Sequence, residues 1–281
     1  MTAPARRALG IGLSCAAALA CWATGLAQAE TGGISPGTGV PPATDPVQTT
    51  PQPKPKPTPR PVAAAPAGRL VGCRANRPSY VTNGSRRARR VVALTFDDGP
   101  AAGTPRVLDI LKREKVHATF FLLGNQISGN ERFVRRQFAE GHAIGDHSWN
   151  HPDLSGGGGF ARSQLLGTQN RIRTATGFTT CVFRAPYGAV SRSLISIARG
   201  FGMNTIEWDV DPRDWARPGS GAIYSRVVGA VRPGSIVLMH DGGGPRGQTI
   251  DALPGIIHTL RRRGYGFVTV PELLGLTPVY R

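Results

Sequence analysis

The chain of 281 residues is long enough for one large domain or two small ones. It carries 34 lysine and arginine residues against 17 acidic residues, a net charge of +17; from residue 69 onward the balance is 29 − 15 = +14. Such a charge attracts polyanions, but the sequence contains no nucleic-acid-binding motif, so nucleic acid is excluded as the expected partner. An anionic cell-wall polymer fits better, and an arginine-rich composition without such a partner is the alternative.

The first 29 residues have the pattern of a secretory signal peptide. Arg6 and Arg7 form a short basic start, an alanine-rich apolar run follows, and residues 27–29 (AQA) resemble a cleavage site. We therefore expect cleavage before Glu30 and a secreted, extracellular protein, with association with the cell wall as an extension of that expectation. A membrane anchor formed by the same apolar run is the alternative.

Residues 30–68 differ in composition from the rest of the chain and are rich in proline. Proline fixes φ and lacks an amide proton, so this stretch cannot form sheet ladders or build a core. The composition predicts a disordered, extended spacer. Residues 69–281 then remain as a single folded domain.

The number and positions of the cysteines agree with the expected export of the protein. Cys15 and Cys21 lie in the predicted signal peptide, which leaves Cys73 and Cys181 in the mature chain. An even pair in an oxidising compartment predicts a disulfide. Two buried free thiols are the alternative.

Seven apolar, strand-like segments alternate with helical patterns from residue 91 to the end of the chain. The predicted strands are 91–96, 118–124, 142–147, 181–186, 204–210, 235–240 and 266–270. The predicted helices are 104–114 and segments near 130–140, 160–176, 191–201, 221–231 and 249–263. This alternation favours parallel βα units, so we expect an α/β domain that closes into a barrel or lies as an open sheet.

Charged and metal-binding side chains follow five of these strands. They are Asp97 and Asp98, His147 and His151, Arg184 and Tyr187, Asp211 and Asp214, and His240. The carboxyl ends of parallel strands share one edge, where active sites of α/β folds lie. We therefore expect these groups to meet, although a turn before Pro212 explains Asp211 better than catalysis does.

The segment HSWNH (147–151) places two histidines four residues apart. Two imidazoles and one carboxylate form a common catalytic zinc set that leaves a position open for water. One of the two adjacent aspartates, Asp97 or Asp98, can bind the cation, and the other can remove a proton from the water.

Five motifs, in this order along the chain, resemble those of the polysaccharide deacetylase family, the NodB-homology group or carbohydrate esterase family 4. They are TFDDGP (95–100), HSWNHPDL (147–154), RAPYG (184–188), DPRDW (211–215) and VLMHD (237–241). The resemblance covers about residues 88–275 and implies a distorted (β/α)7 barrel formed by a single catalytic domain. The chain departs from the family after HPDL, where SGGGG (155–159) replaces the usual serine or threonine leading into a helix.

The resemblance also implies roles for the charged residues. Asp97 would be the general base, and Asp98, His147 and His151 would bind the metal, with Zn²⁺ expected and other divalent ions possible. His240 would be the general acid.

The same resemblance implies the walls and supports of the site. Arg184 would orient the base, and Asp214 would tether Arg184. The backbone amide of Tyr187 would help to hold the oxyanion, whereas Trp215 and Leu238 would line the acetyl pocket.

The resemblance thus implies a monomeric, zinc-dependent hydrolase that removes acetyl groups from an acetylated polysaccharide. N-deacetylation of a glycan containing N-acetylglucosamine, of the peptidoglycan or chitin type, is the first expectation. O-deacetylation of acetylated xylan is the nearest alternative. A non-catalytic cell-wall-binding module is the alternative from another class, and the intact set of motif residues argues against it.

Overall fold

The computed structural model describes residues 68–75, 79–84 and 90–281. All of these residues belong to one structural unit, Val62–Arg281. The predicted signal peptide, and the predicted spacer apart from Gly68, lie outside the described residues. In the described part of the chain, no helix is both long enough and apolar enough to cross a membrane.

Seven of the strands correspond to the seven predicted ones. They are β3 (Val91–Gly99), β4 (Thr119–Leu122), β5 (Ala143–Asp146), β6 (Val182–Phe183), β7 (Asn204–Ile206), β8 (Ile236–His240) and β9 (Gly266–Phe267). Three further strands were not predicted: β1 (Leu70–Arg74), β2 (Tyr80–Val81) and β10 (Thr277–Tyr280).

The main sheet is parallel throughout. Its strand order is β2-β7-β6-β5-β4-β3-β8, and β9 pairs with the start of β3. The predicted α/β class with parallel strands is therefore confirmed. The carboxyl ends of these strands lie along one edge of the sheet, as predicted from the sequence.

The segment after β7 reaches the opposite end of this strand order. Val210 forms an isolated parallel bridge with Val237 of β8, and Leu238 donates a backbone hydrogen bond to the carbonyl of Val210 at 2.9 Å. A contact between the two ends of the strand order is of the kind that would close the sheet into a barrel. The seven-unit barrel stays a prediction.

Six longer helices match the predicted ones closely. They are α1 (Thr104–Glu114), α3 (Glu131–Ala139), α4 (Gly158–Thr176), α5 (Arg192–Gly200), α6 (Ser220–Ala230) and α7 (Gly247–Arg262). Two four-residue helices, α2 (Gly124–Ile127) and α8 (Val270–Leu273), and two 3-10 helices, Pro186–Gly188 and Asp214–Ala216, are also present in the described residues.

Strand β3 is buried on both faces. Leu94 and Phe96 belong to the cluster that contains Leu108 and Leu111 of α1, whereas Ala93 belongs to a separate cluster. Because successive side chains of a strand point to opposite faces, a strand covered on both sides must be apolar at nearly every position. This explains why the run before the two aspartates shows no alternation of polar and apolar residues.

A disulfide joins the amino-terminal strand to the main sheet. Cys73 of β1 is bonded to Cys181, which directly precedes β6, and their Cα atoms are 5.4 Å apart. The predicted pairing is confirmed. Strand β1 also pairs with β10, so the carboxyl terminus lies against the same segment.

Candidate active site

A cavity of about 460 Å³ lies at the carboxyl ends of the parallel strands. Its lining residues are Asp97, Asp98, His147, His151, Ala185, Tyr187, Trp208, Asp211, Trp215, Leu238, His240 and Arg246. The predicted site residues are all in this lining except Arg184 and Asp214, which are fully buried. The structure therefore brings together the groups that the sequence placed after separate strands.

The two adjacent aspartates end β3 and turn in different directions. The ladder between β3 and β4 is irregular between Asp97 and Gly99, and Asp98 has a positive φ of 69°. A positive φ is uncommon for a residue with a side chain and is often found at functional sites. This conformation lets the Asp97 carboxylate face Arg184 while the Asp98 carboxylate faces the histidines.

The two histidines occupy a tight loop after β5. The carboxylate of Asp146 accepts a hydrogen bond from the backbone N–H of Ser148 at 2.8 Å, and the hydroxyl of Ser148 accepts one from the N–H of His151 at 3.0 Å. Ser148 and His151 both have positive φ, 72° and 65°. The loop brings both Nε2 atoms to 3.5 Å from Oδ1 of Asp98.

These three side chains form the group of possible metal ligands in the described part of the chain. Oδ1 of Asp98 is buried and has no hydrogen-bond partner among the described residues. A buried carboxylate oxygen without a partner is costly unless a cation or another donor occupies the space beside it. Two imidazole nitrogens and one carboxylate are also donors that divalent zinc prefers, so the residues fit a metal ion.

The tautomer of His147 leaves Nε2 free to bind a metal ion. Its Nδ1 lies 2.8 Å from the carbonyl oxygen of Arg184, which can only accept, so Nδ1 carries the proton and Nε2 offers a lone pair. Burial lowers the pKa of His147 to about 3, so the ring is neutral at neutral pH. A neutral imidazole is the form that binds metal.

Arg184 is fully buried and directed at Asp97. Its Nη1 donates to Oδ1 of Asp97 at 2.8 Å and to the hydroxyl of Thr95 at 2.7 Å. Nε and Nη2 donate to the carbonyls of Ile206 at 3.2 Å and Glu207 at 3.1 Å. Burial raises the pKa of Asp97, and the charge of Arg184 acts in the opposite direction. Arg184 therefore fixes the Asp97 carboxylate and limits the rise of its pKa.

Asp214 binds His240 and not Arg184. Oδ1 of Asp214 lies 2.7 Å from Nδ1 of His240, while Oδ2 accepts from the backbone N–H of His240 at 2.9 Å and from the hydroxyl of Thr249 at 2.8 Å. The expected tether between Asp214 and Arg184 is therefore wrong. The physical reason is that both oxygens of Asp214 are occupied on the β8 side of the cavity.

This pairing determines the charge of His240. Burial lowers the pKa of His240, but the hydrogen bond and the negative charge of Asp214 outweigh it, so the pKa is raised overall. The bond to Nδ1 also leaves Nε2 as the free end of the ring. His240 can therefore hold a proton near neutral pH and present it through Nε2.

Two aromatic residues form exposed parts of the rim. Tyr187 is 72% exposed, has a φ of 61°, and its ring contacts His151 with centroids 4.4 Å apart. Trp215 is 46% exposed, and Leu238 is buried in the wall. Both aromatic side chains are thus partly accessible from the cavity, although the Arg213 guanidinium lies 5.1 Å from the centroid of the Trp215 ring. The role of the Tyr187 amide stays a prediction.

The glycine segment after HPDL lies before and within the start of α4. Gly157 has a φ of 68°, and a Cβ placed on it would come within 2.1 Å of the Ser193 hydroxyl. This close approach requires glycine at that position. The segment is therefore adapted to pack against α5, which the sequence did not indicate.

Sequence reasoning missed three residues that support the site. Thr249 binds Asp214, and Glu207 lies beside Arg184. Arg246 lines the cavity and donates to the carbonyls of Gly242 at 2.6 Å and Gly243 at 2.8 Å, so it holds the loop after His240. A resemblance based on five short motifs carries no signal for Thr249 and Arg246, which lie outside the motifs.

Comparison with known proteins defines the class to which this fold and site belong. Residues 84–206 match the family model described as polysaccharide deacetylase. The chain is 40% identical over 198 residues to a chitooligosaccharide deacetylase of Bradyrhizobium sp. (strain ANU 289), covering 66% of this chain and 90% of the relative. The chain therefore belongs to the polysaccharide deacetylase family.

A second relative is a peptidoglycan-N-acetylglucosamine deacetylase, PgdA, of Listeria monocytogenes. The two are 40% identical over 191 residues, which is 67% of this chain but only 40% of the relative. The similarity thus includes less than half of that longer protein.

Solved structures share the fold. A peptidoglycan N-acetylglucosamine deacetylase in complex with 4-naphthalen-1-yl-N-oxidanyl-benzamide superimposes with a TM-score of 0.67 at 35% identity, covering 70% of this chain and 92% of the other. A family pseudoenzyme from Bacillus anthracis gives a TM-score of 0.64 at 34% identity, covering 70% of this chain and 69% of the other. Because the family includes a pseudoenzyme, membership of the family does not establish activity, which depends on the residues present in the site of this chain.

Proposed function

We propose that this protein is a secreted, zinc-dependent deacetylase that hydrolyses the N-acetyl groups of a glycan containing N-acetylglucosamine. Three features support the proposal: the Asp98, His147 and His151 cluster, a buried carboxylate at Asp97, and a paired histidine at His240. The observation that carries it is their convergence on one cavity. Relatives named for chitooligosaccharide and peptidoglycan deacetylation support the choice of substrate.

Asp98, His147 and His151 would hold the metal. When bound, the ion would act as a Lewis acid toward the acetyl carbonyl and lower the pKa of a bound water to about 7. Zinc is proposed because two imidazoles and a carboxylate leave a coordination position open, as in catalytic zinc sites.

Asp97 would act as the general base. Its carboxylate is buried, is fixed by Arg184 at 2.8 Å, and has its other oxygen 3.8 Å from Nε2 of His147. It therefore faces the metal ligands while remaining separate from them. A carboxylate held in this position can accept a proton from the attacking water without a change in rotamer.

His240 would act as the general acid. The bond from Nδ1 to Asp214 stabilises the imidazolium and fixes the ring, so Nε2 can deliver a proton to the amine that leaves. An amide needs this proton more than an ester does, because an amine anion is a much poorer leaving group than an alkoxide. The pairing therefore favours N-deacetylation over O-deacetylation of acetylated xylan.

The exposed rings of Tyr187 and Trp215 on the rim suit a sugar ring and an acetyl group, since carbohydrates stack on aromatic faces. A cell-wall-binding module would need such faces but no base paired with an arginine and no acid paired with an aspartate. The intact pairs Asp97–Arg184 and His240–Asp214 thus favour an enzyme over that module. An anionic wall polymer as a further partner, and a monomeric state, stay predictions.

Secretion is proposed from the amino-terminal sequence, and the Cys73–Cys181 disulfide supports it because such bonds persist in oxidising compartments.

Release of acetate tests the function. The purified protein would be incubated with chitooligosaccharides, peptidoglycan and acetylated xylan, with zinc and with a chelator. We expect acetate and free amino groups from the first two, loss of both on chelation and recovery on adding zinc. Acetate from xylan alone would support the esterase alternative, and glycan binding without acetate release would support the binding module.

A further inference from the structure

Glu207, which follows β7, lies beside the Arg184–Gly188 segment, although it is not in the cavity lining. Its side chain is buried, and its Oε1 has no hydrogen-bond partner among the described residues. A buried carboxyl group of this kind is costly, and it persists only where the surrounding structure compensates for it. The compensating contacts come from the Arg184–Gly188 segment. This segment carries Arg184, which is predicted to orient the base, and the Tyr187 amide, which is predicted to hold the oxyanion.

Two consecutive residues of that segment contact Glu207. The Arg184 guanidinium donates to the backbone carbonyl of Glu207 at 3.1 Å. The backbone N–H of Ala185 faces the carboxylate and lowers its pKa. Glu207 thus contacts the segment through its main chain and its side chain.

The next turn of the segment rests on the same side chain. A Cβ on Gly188 would come within 3.0 Å of Oε2 of Glu207 and 3.2 Å of the Trp208 ring, and Gly188 has a φ of 65°. The turn Pro186–Gly188 therefore sits directly on Glu207 and Trp208. Tyr187, at the centre of this turn, has its ring against His151.

We propose that Glu207 is a positioning residue whose buried carboxyl group holds the Ala185–Gly188 turn in place, and through this turn holds the adjoining Arg184, which also donates to the Glu207 backbone carbonyl. The proposal rests on the deacetylase function and extends it to a residue outside the five motifs. An ionised Glu207 carboxylate attracts the Ala185 N–H and the Arg184 cation more strongly than a neutral carboxyl does, whereas burial and the charge of Asp97 oppose its ionisation.

The ionisation of Glu207 falls in the range where the enzyme would work. Burial raises its pKa to about 7; Arg184 lowers it and Asp97 raises it. Among the described residues, Tyr80 of β2 also faces Glu207, and burial and the charge of Glu207 raise the pKa of Tyr80. The contribution of Glu207 should therefore grow as the pH rises through about 7.

The test compares E207Q, E207A and the wild type, with E131Q on the surface of α3 as a matched control. We expect E207A to lower kcat about 10- to 100-fold with little change in KM or zinc content, because displacement of a catalytic group by about 1 Å has effects of this size. E207Q keeps the shape and should lose less. The ratio of wild-type to E207Q kcat should rise through pH 7, and E131Q should match the wild type.

A purely structural role would lower the melting temperature of E207A while leaving kcat per folded, zinc-loaded molecule unchanged, and this result would overturn the proposal. A flat wild-type to E207Q ratio would also overturn it. If the wild type itself releases no acetate, the deacetylase function fails separately. A crystal structure of E207A then decides the positioning claim, because an unmoved turn with Arg184 still on Asp97 would contradict it.

Discussion

Asp97 and Asp98 are adjacent in the chain, yet their carboxylates take part in separate contacts. Asp97 is held by Arg184 at 2.8 Å, whereas Asp98 lies 3.5 Å from the Nε2 atoms of both His147 and His151. The positive φ of Asp98 produces this divergence. Like charges so close together repel; Arg184 compensates for this repulsion on one side, and a cation at the proposed metal site would compensate for it on the other.

The divergence predicts different consequences for two isosteric substitutions. Asp97→Asn should retain zinc and lose turnover by about 10²–10⁴-fold, because a positioned general base contributes that much. Asp98→Asn should first weaken zinc binding, and excess zinc should restore part of the activity. Metal analysis and kcat measured on the same samples check this. If Asp97→Asn loses zinc while Asp98→Asn keeps it, the two roles are reversed.

His147→Ala should remove zinc and activity together. His147 offers Nε2 to the cluster while Nδ1 is bonded to the Arg184 carbonyl, so alanine removes a metal ligand and one buried hydrogen bond. His258→Ala on α7 is the matched control, because His258 is exposed and pairs with Glu114. Metal content by mass spectrometry and folding by circular dichroism separate the effects. Full zinc occupancy in folded His147→Ala would refute the ligand assignment.

Asp214→Asn should shift the pH dependence of turnover. Asp214 raises the pKa of His240, so its removal lowers that pKa. A general acid works only when protonated, and activity falls as the pH rises through its pKa. The basic limb of the kcat profile should therefore move to lower pH in Asp214→Asn. Thr249→Val removes a hydrogen-bond donor to the same carboxylate and leaves Asp214 a stronger acceptor for His240, so the basic limb should move slightly to higher pH. An unmoved basic limb would mean that His240 is not the acid.

Replacing both bonded cysteines with serine should destabilise the domain. The bond links residues 108 positions apart. Disulfides that close long loops contribute about 2–5 kcal/mol to stability. Unfolding in denaturant under non-reducing conditions measures the loss, and reduced wild-type protein should approach the stability of the double variant. Equal midpoints for the variant and the oxidised wild type would contradict the expectation.

Particular residues show how much of this structure the sequence could predict. The apolar run that ends at Asp97 predicted strand β3 and its place next to the site. A strand that is buried on both faces shows no alternation of polar and apolar residues. The helix Thr104–Glu114 was predicted with its bounds. Strands β1, β2 and β10 escaped prediction because they lie outside the alternating βα pattern, and β10 also includes Pro278.

The site shows a similar limit. The alternation of strands and helices, with motif residues directly after the strands, predicted which residues would meet, since the ends of parallel strands share one edge. They did not predict that Asp214 would bind His240, because that choice depends on the path of the chain between β7 and β8. Glu207 was missed, since a single glutamate near a strand end gives no sign of the turn that will contact it.

The Cys73–Cys181 bond also determines how the domain would respond to mechanical force. A force applied to residues before Leu70 acts first on β1. Without the disulfide, the hydrogen bonds between β1 and β10 could break one after another. The covalent link passes the load from Cys73 directly to the start of β6, inside the main sheet. In oxidised protein, tension applied at the amino terminus therefore enters the main sheet at Cys181, just before β6 and Arg184, and strand β1 cannot be peeled beyond Cys73 while the bond is intact.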